Sequence, residues 1–280
     1  MKIIVTGAKG QLGSDVVHQL NKIGAEAIEA DLPEIDITDA DAVENFIASS
    51  GAHGVIHCAA YTNVDSAESE RELCGRINYD GTRNLAISCE KHGVKLLYIS
   101  TDYVFSGEGT EPFEVDSPKI PCNFYGESKL NGENAALDLC SRSFVVRISW
   151  VFGKNGKNFV KTMLRLSEDK DEISVVCDQI GSPTYTKDLA VLLCEMIAGD
   201  KYGVYHATNE GYCSWAEFAQ TIMEYSSAST VIKPISSSEY KSVAVRPANS
   251  RLSKKSLDDN GFSRLPHWQD ALKRYLADMN

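Results

Sequence analysis

The chain begins Met1-Lys2-Ile3-Ile4-Val5-Thr6-Gly7-Ala8-Lys9-Gly10-Gln11-Leu12-Gly13-Ser14, and these residues decide how the rest is read. Met1 to Thr6 is a short apolar, β-branched run, which predicts a strand. Gly7, Gly10 and Gly13 follow in a Gly-x-x-Gly-x-x-Gly turn, and Ser14 to Leu20 predicts a helix. Strand, glycine turn and helix in that order form a dinucleotide-binding geometry. One glycine permits the tight turn. The next lets backbone N–H groups approach a pyrophosphate, and the last lets helix and strand pack closely. The helix N-terminus then presents its partial positive charge to the phosphates.

At 280 residues the chain has room for one large domain or two unequal ones. Its 43% hydrophobic and 24% charged content are ordinary for a globular protein in water. No run of about 18 apolar residues occurs, so no membrane span is expected. Nothing resembles a signal peptide, and a cytoplasmic location is expected. A formal net charge of -11 argues against nucleic-acid binding. The eight cysteines are scattered singly, without a Cys-x-x-Cys pair. They predict buried free thiols in a reducing compartment. The six histidines show no His-Glu-x-x-His spacing, which argues against a zinc site.

Glu26 to Ala30 predicts a second strand with Asp31 at its C-terminal end, where an acid suits the two adenine-ribose hydroxyls. No Arg or Lys lies between Glu26 and Ser50 to hold a 2′-phosphate. That favours NADH, with Lys9 in the glycine turn as the counterweight. A helix is expected over Val43–Ala48. Gly54 to Ala60 predicts a buried third strand whose small terminal residues let a cofactor approach the backbone. Asn78, inside a helical stretch, reads as solvated surface. Val94–Ile99 predicts a strand that runs into Ser100-Thr101-Asp102-Tyr103-Val104-Phe105, and a hydroxyl at such a strand tip is where a substrate contact belongs. Tyr125 and Lys129, four residues apart, share one helix face.

Phe144–Ile148 predicts another strand, leading to Trp150. Beyond it come a helix over Phe159–Leu166, a strand over Ile173–Val176 and a polar turn over Asp178–Thr184. A helix over Lys187–Ile197, a strand over Val204–His206 and a helix over Trp215–Tyr225 follow. Arg246–Leu252 is an irregular basic stretch, and a last helix covers Trp268–Met279. The pattern predicts an α/β protein. A Rossmann-type doubly wound parallel sheet spans residues 1–150, and a smaller mixed α/β C-terminal lobe spans 151–280. The lobe would cap the cofactor edge and bind substrate, with the chain crossing back to the first domain.

The stretches Gly7–Gly13, Ala59–Glu68, Ser100–Phe105, Tyr125–Lys129 and Ser149–Val151 occur in one order with Asn158–Met163, Asp178–Thr184 and Arg246–Ser250. Together they resemble the dTDP-4-dehydrorhamnose reductase family of extended short-chain dehydrogenases/reductases. Ser-Thr-Asp-Tyr-Val-Phe and Asp-Gln-x-Gly-x-Pro-Thr are far more specific than the glycine turn. The resemblance implies an oxidoreductase that uses NADPH or NADH to reduce the 4-keto group of dTDP-4-dehydro-L-rhamnose. Such a step belongs to nucleotide-sugar and cell-surface polysaccharide biosynthesis. The resemblance makes Tyr125 the acid, Lys129 its partner and Thr101 a hydrogen-bond donor to the sugar, with Asp102 and Trp150 lining the sugar pocket. Gly7, Gly10, Gln11, Leu12, Gly13, Asp31, Asp36, Ile37, Ala60, Tyr61, Thr62 and Ile99 fall at cofactor-binding positions, with Tyr125 and Lys129. Glu127-Ser128 departs from the commoner Lys-Thr, at outward or tolerant positions. Some relatives bind magnesium through acids at a dimer contact. The candidate positions here, Asp15 and Asp188, have different local sequences, and no metal is assigned. Monomer and homodimer both remain open.

Hydride arriving at a keto carbon leaves negative charge on the oxygen, which needs a proton donor and aimed hydrogen bonds. Tyrosine, with an ordinary pKa of about 10, donates reluctantly at neutral pH. Lys129 is expected to lower that value and to hold the nicotinamide ribose. Arg246 is expected to fork onto the substrate diphosphate; the plainer alternative is an arginine that holds a loop. Position 103 is Tyr rather than Glu, so a 4,6-dehydratase lacks its base. Two alternatives stay open. One is an NAD-dependent nucleotide-sugar 4-epimerase, which needs only the Thr, Tyr and Lys set. The other is a non-catalytic dinucleotide-binding regulatory subunit like the β subunit of methionine adenosyltransferase.

Overall fold

In the computed structural model, which describes residues 1–279, β1 (Lys2–Thr6), α1 (Gln11–Lys22) and β2 (Glu26–Ala30) form the opening βαβ unit. α2 (Ala40–Ser50) leads to β3 (Gly54–His57). α3 (Val64–Ala67), α4 (Arg71–Gly75), a π-helical turn over Arg76–Asp80 and α5 (Gly81–His92) lead to β4 (Lys95–Thr101). α6 (Phe124–Leu139) precedes β5 (Ser143–Ile148). The remainder runs through β6 (Val151–Phe152), α7 (Phe159–Ser167), β7 (Glu172–Val176), β8 (Ile180–Gly181), β9 (Thr184–Tyr185), α8 (Thr186–Ala198), β10 (Gly203–His206) and α9 (Trp215–Ser226). α10 (Lys255–Asp259) and α11 (Trp268–Met279) complete the described chain.

The main sheet has the order β10-β5-β4-β3-β1-β2, and each neighbouring pair is parallel. A parallel sheet is covered on both faces, which explains the continuous apolar runs of its central strands. Ile3, Val5, Ile56, Leu97, Phe144 and Val146 pack with Val16 and Leu20 of α1 and Leu193 and Ile197 of α8. Alternate residues Ile4, Val55, Leu96, Tyr98 and Val145 pack on the opposite face with Val43 and Ile47 of α2, Leu85 of α5 and Ala136 of α6. The order reverses between β1 and β3, and a doubly wound sheet opens its ligand crevice at such a switch point. No helix among the described residues is long and apolar enough to cross a membrane.

The second lobe has its own core, in which Phe152, Met163, Tyr185, Phe218, Ile222, Trp268 and Tyr275 meet. The chain does not divide cleanly after residue 150. β10 is the edge strand of the main sheet, α8 packs beside α1, and Leu257 and Phe262 join the core of that face.

Several element limits differ from the sequence pattern. α1 begins at Gln11 rather than Ser14, because Gly13 lies inside it and packs on the turn; a Cβ there would sit 2.0 Å from the Gly7 carbonyl oxygen. α2 begins at Ala40, where the Asp39 carboxylate accepts hydrogen bonds from the Asp41 and Ala42 amides. β3 ends at His57, and Cys58-Ala59-Ala60 leave the sheet to form a cavity wall. All eight cysteines are free thiols. Cys58 and Cys122 are half-buried and Cys177 is exposed, so burial holds for the other five rather than for all.

Candidate active site

A cavity of about 1140 Å³ opens along the C-terminal ends of β1, β3, β4 and β5 and is closed on one side by α7 and α9. Its first wall is the glycine turn. Gly7 has φ +66°, and a Cβ there would lie 2.7 Å from the Ala59 nitrogen, so only glycine lets the end of β1 approach the exit of β3. The Gly10 amide donates to the Gly7 carbonyl at 2.9 Å, closing the turn. The Lys9 amide donates to Oδ2 of Asp31 at 2.7 Å, so this acid also braces the turn.

Gly7, Gly10, Gln11, Leu12, Asp31, Asp36, Ile37, Ala60, Thr62 and Ile99 line this cavity. Gly13 lies beneath it, and Tyr61 lines no part of it. The Tyr61 hydroxyl instead donates to Glu70 at 2.7 Å. Asp36 accepts from the amide and hydroxyl of Thr38, both at 2.9 Å, which hold its carboxyl below the usual range. Arg76 donates to the Thr38 hydroxyl at 3.2 Å and lines the same end of the cavity. A scan of residues 26–50 for a cation misses it, because the fold delivers it from the next crossover.

Asn78 is not solvated. It is 1% exposed. Its Oδ1 accepts from the Tyr61 amide at 2.9 Å, and its Nδ2 donates to the Tyr61 carbonyl at 3.1 Å and to the Ser128 hydroxyl at 2.9 Å. Ser128 in turn donates to the Tyr125 carbonyl at 2.7 Å. Position 128 is therefore buried and engaged rather than outward, and Asn78 fastens the β3 exit to the helix of Tyr125. Nothing in the local sequence separates this asparagine from a surface one; only its partners do.

Thr101, Asp102, Tyr125, Lys129 and Trp150 all line the one cavity. α6 starts close against the end of β4. Asn123 caps it by accepting from the Gly126 amide at 2.8 Å, and a Cβ on Gly126 would lie 2.2 Å from the Tyr103 carbonyl. Thr101 donates to Oδ1 of Asp102 at 3.0 Å, while Oδ2 of Asp102 is buried without a partner. Burial pushes the Asp102 carboxyl up to about 6, with the Ser250 and Thr101 hydroxyls acting the other way.

Burial raises the Tyr125 hydroxyl well above its ordinary value, partly offset by the neighbouring Thr101 hydroxyl. Lys129 donates to the Ile99 carbonyl at 2.7 Å and sits 4.1 Å from the centre of the Tyr98 ring. Its ammonium is pushed down to about 7 by burial, with Glu133 acting the other way. The expected depression of Tyr125 by Lys129 is thus absent in this arrangement. The cation faces a backbone carbonyl, and desolvation governs the phenol, which keeps its proton at neutral pH.

Trp150 has φ +49°, a left-handed conformation that costs a tryptophan about 1–3 kcal/mol. It is held there by Trp215, stacked at 3.6 Å between ring centroids, and by Gly181, whose missing side chain leaves room for the indole. Trp215 lines the cavity and escaped the sequence reading, since an aromatic at the start of a helix reads equally well as core.

Arg246 does not line the cavity in this arrangement, and its guanidinium forks onto Asp65 at 3.0 and 2.9 Å, as the plainer alternative of a loop-holding arginine has it. Asp65 also accepts from the Ala244 amide at 3.1 Å, and its carboxyl is held down to about 2 by Arg246. The donors expected to meet a diphosphate are engaged by a carboxylate brought from the first domain. Asp188, one candidate for a magnesium ligand, is likewise occupied. It receives Arg274 at 2.6 and 2.7 Å and Asn209 at 2.9 Å, and Asp15 accepts from Thr186. No group of three or more His, Cys, Asp or Glu placed to hold a metal occurs among the described residues.

A doubly wound sheet with this glycine turn, and with Thr, Tyr and Lys gathered at the ends of β4 and α6, defines a dinucleotide-dependent oxidoreductase of the extended short-chain type. Within that class the chain belongs to the family described as RmlD substrate binding domain, which matches residues 1–280. It is 42% identical to the spore coat polysaccharide biosynthesis protein SpsK of Bacillus subtilis, over 99% of this chain and 97% of that protein. It is 38% identical to the dTDP-4-dehydrorhamnose reductase of Aggregatibacter actinomycetemcomitans, over 99% and 98% of the two chains. A crystal structure of dTDP-4-dehydrorhamnose reductase from Bacillus anthracis in complex with NADP superposes with a TM-score of 0.97 at 43% identity, covering 99% of both chains.

Proposed function

We propose that this protein reduces the 4-keto group of dTDP-4-dehydro-L-rhamnose to give dTDP-L-rhamnose, using NADPH or NADH. The observation that carries this reading is the convergence of Thr101, Tyr125 and Lys129 on a cavity continuous with the glycine turn. The relatives named as reductases support the substrate, and the Bacillus anthracis complex supports the cofactor. The turn around Gly7 leaves no space for a Cβ, as a backbone cradle for a pyrophosphate requires. Gly10, Gln11 and Leu12 would hold the pyrophosphate, Asp31 the adenine ribose, and Asp36 and Ile37 the adenine. When bound, the reduced nicotinamide supplies the hydride.

The chain's own residues supply the rest. Tyr125, kept protonated by burial, gives its proton to the substrate oxygen as charge grows there. Thr101 turns its one hydroxyl proton from Asp102 to donate a second hydrogen bond to the same oxygen. Lys129 turns from Ile99 toward the ribose and the phenol, stabilising the tyrosinate left behind. Asp102 and Trp150 shape the sugar site. Arg246 ties the 243–246 segment to the chain after β3 by its hold on Asp65, and the acting species is a monomer or homodimer.

The test is NAD(P)H oxidation by the purified protein with dTDP-4-dehydro-L-rhamnose, followed by product identification. Turnover to dTDP-L-rhamnose is expected. Tyr125→Phe should lose about 10²–10⁴-fold in kcat while retaining dinucleotide affinity. Recovery of the protein with tightly retained NAD and no net reduction would assign it to the 4-epimerases. A stoichiometric protein partner without turnover would make it a regulatory subunit.

A further inference from the structure

Below the cavity, Glu133 and Arg147 form an ion pair that is 1% and 0% exposed. Arg147 on β5 donates through Nε and Nη2 to the two carboxylate oxygens of Glu133, both at 2.8 Å. Its Nη1 donates to the Val115 carbonyl at 2.9 Å and lies 3.2 Å from Nε2 of His206, whose Nδ1 is 3.1 Å from the Ser253 carbonyl. The Ser100 hydroxyl donates to Glu133 at 2.5 Å. Burying two charges costs several kcal/mol per ion, and an apolar pair of the same volume often serves stability as well or better.

The location of the pair suggests what else it does. Tyr125, Lys129 and Glu133 stand four residues apart on α6, along one face. Consecutive residues of β4 receive or tether that face. The Ile99 carbonyl accepts from Lys129, Ser100 donates to Glu133, and Thr101 stands at the cavity. The Tyr98 hydroxyl also donates to the Lys129 carbonyl at 3.3 Å.

We propose that Glu133, fixed by Arg147 and Ser100, is a positioning residue for Lys129, keeping its buried amine protonated and directed at the β4 exit. The inference rests on the assignment of Lys129 to the reaction made above. The ionisable groups that face Lys129 are Tyr125 and Glu133 on its own helix, Tyr98 on β4, His57 and Cys58 at the end of β3, and Cys74 on α4. His57 is held neutral by burial, and burial pushes both thiols up, so they are uncharged at neutral pH. Tyr98 and Tyr125 are likewise raised. Glu133 is left as the anion that opposes the desolvation of Lys129.

The experiment is the pH profile of kcat/KM for the keto-sugar reduction in Glu133→Gln/Arg147→Met. This double variant removes both charges and so leaves no orphaned ion in the core. An opposite charge within a few ångströms moves a pKa by about 1–3 units. The alkaline limb, set by loss of the Lys129 proton, should therefore move to lower pH, by less than an unpaired charge in contact would give because the Arg147 cation is removed with the anion. Dinucleotide affinity, measured well below the variant's own alkaline limb where the amine is still protonated, should stay near wild type. Glu133→Asp, which retains the charge, should return the limb toward its original position. If the double variant does not fold, Ser100→Ala keeps the ion pair and should move the limb the same way by a fraction of a unit. An unmoved limb in the folded variant, with kcat lowered equally at all pH values, would make the pair purely structural and overturn the proposal. Wild-type activity in Lys129→Ala would overturn both this proposal and the catalytic role of Lys129. Loss of activity in Lys129→Ala with an unmoved limb in the charge-neutral variant overturns this proposal alone.

Discussion

Replacing Arg246 by alanine should lower stability and leave substrate affinity nearly intact. The fork onto Asp65 joins a loop of the second lobe to the segment after β3, and Asn123 reinforces it by donating to the Val245 carbonyl at 2.8 Å. The carboxyl of Asp65 falls from its ordinary value of 3.8 to about 2. Unscreened, that downshift corresponds to about 2.5 kcal/mol. The Asp65 side chain is 40% exposed and that of Arg246 25% exposed, so solvent screening reduces the net value to about 1 kcal/mol. For a chain of this size the loss corresponds to a fall in Tm of about 2–4 °C. Because the folded-state pKa is depressed, the contribution is fully present above pH 4 and disappears as pH falls toward 2. The assay is thermal unfolding of wild type, Arg246→Ala, Asp65→Ala and the double variant at pH 7 and pH 3, beside steady-state KM values. The double-variant cycle should return a coupling of about 1 kcal/mol at pH 7 that shrinks at pH 3. An unchanged Tm, with substrate KM raised about tenfold or more only for substrates bearing a diphosphate, would refute this reasoning and restore Arg246 to phosphate binding.

Other outcomes follow from the same geometry. Asn78→Ala strands the Tyr61 amide and carbonyl, so unfolding free energy should drop by about 1–3 kcal/mol, read by denaturant titration. Gly13→Ala places a Cβ 2.0 Å from the Gly7 carbonyl and should abolish measurable dinucleotide binding in calorimetry; wild-type affinity would show that the turn yields without cost. If Asp31 faces the adenine ribose as proposed, Asp31→Ala should raise the ratio of kcat/KM for NADPH over NADH; a fall would mean that Asp31 serves only the turn.

The sequence alone was enough for the class of fold and for candidate residues that the structure gathers around one cavity. Apolar β-branched runs, glycines at a strand end and helical periodicity are local signals, and a parallel sheet whose faces are both covered must be built from such runs. The Thr101, Tyr125 and Lys129 set was legible because each stands at the end of a recognisable element or one turn into it. Partners were decided by the tertiary structure. Asp65 meets Arg246 and Glu133 meets Arg147 across distances along the chain that no local pattern encodes. The same reason sends Asn78 inward, brings Arg76 to the Asp36 end of the cavity and stacks Trp215 on Trp150. The protonation of the site was also beyond the sequence. A Tyr–Lys spacing suggests mutual influence, but desolvation sets the states of Tyr125, Lys129 and Asp102, and burial is a property of the whole packed molecule.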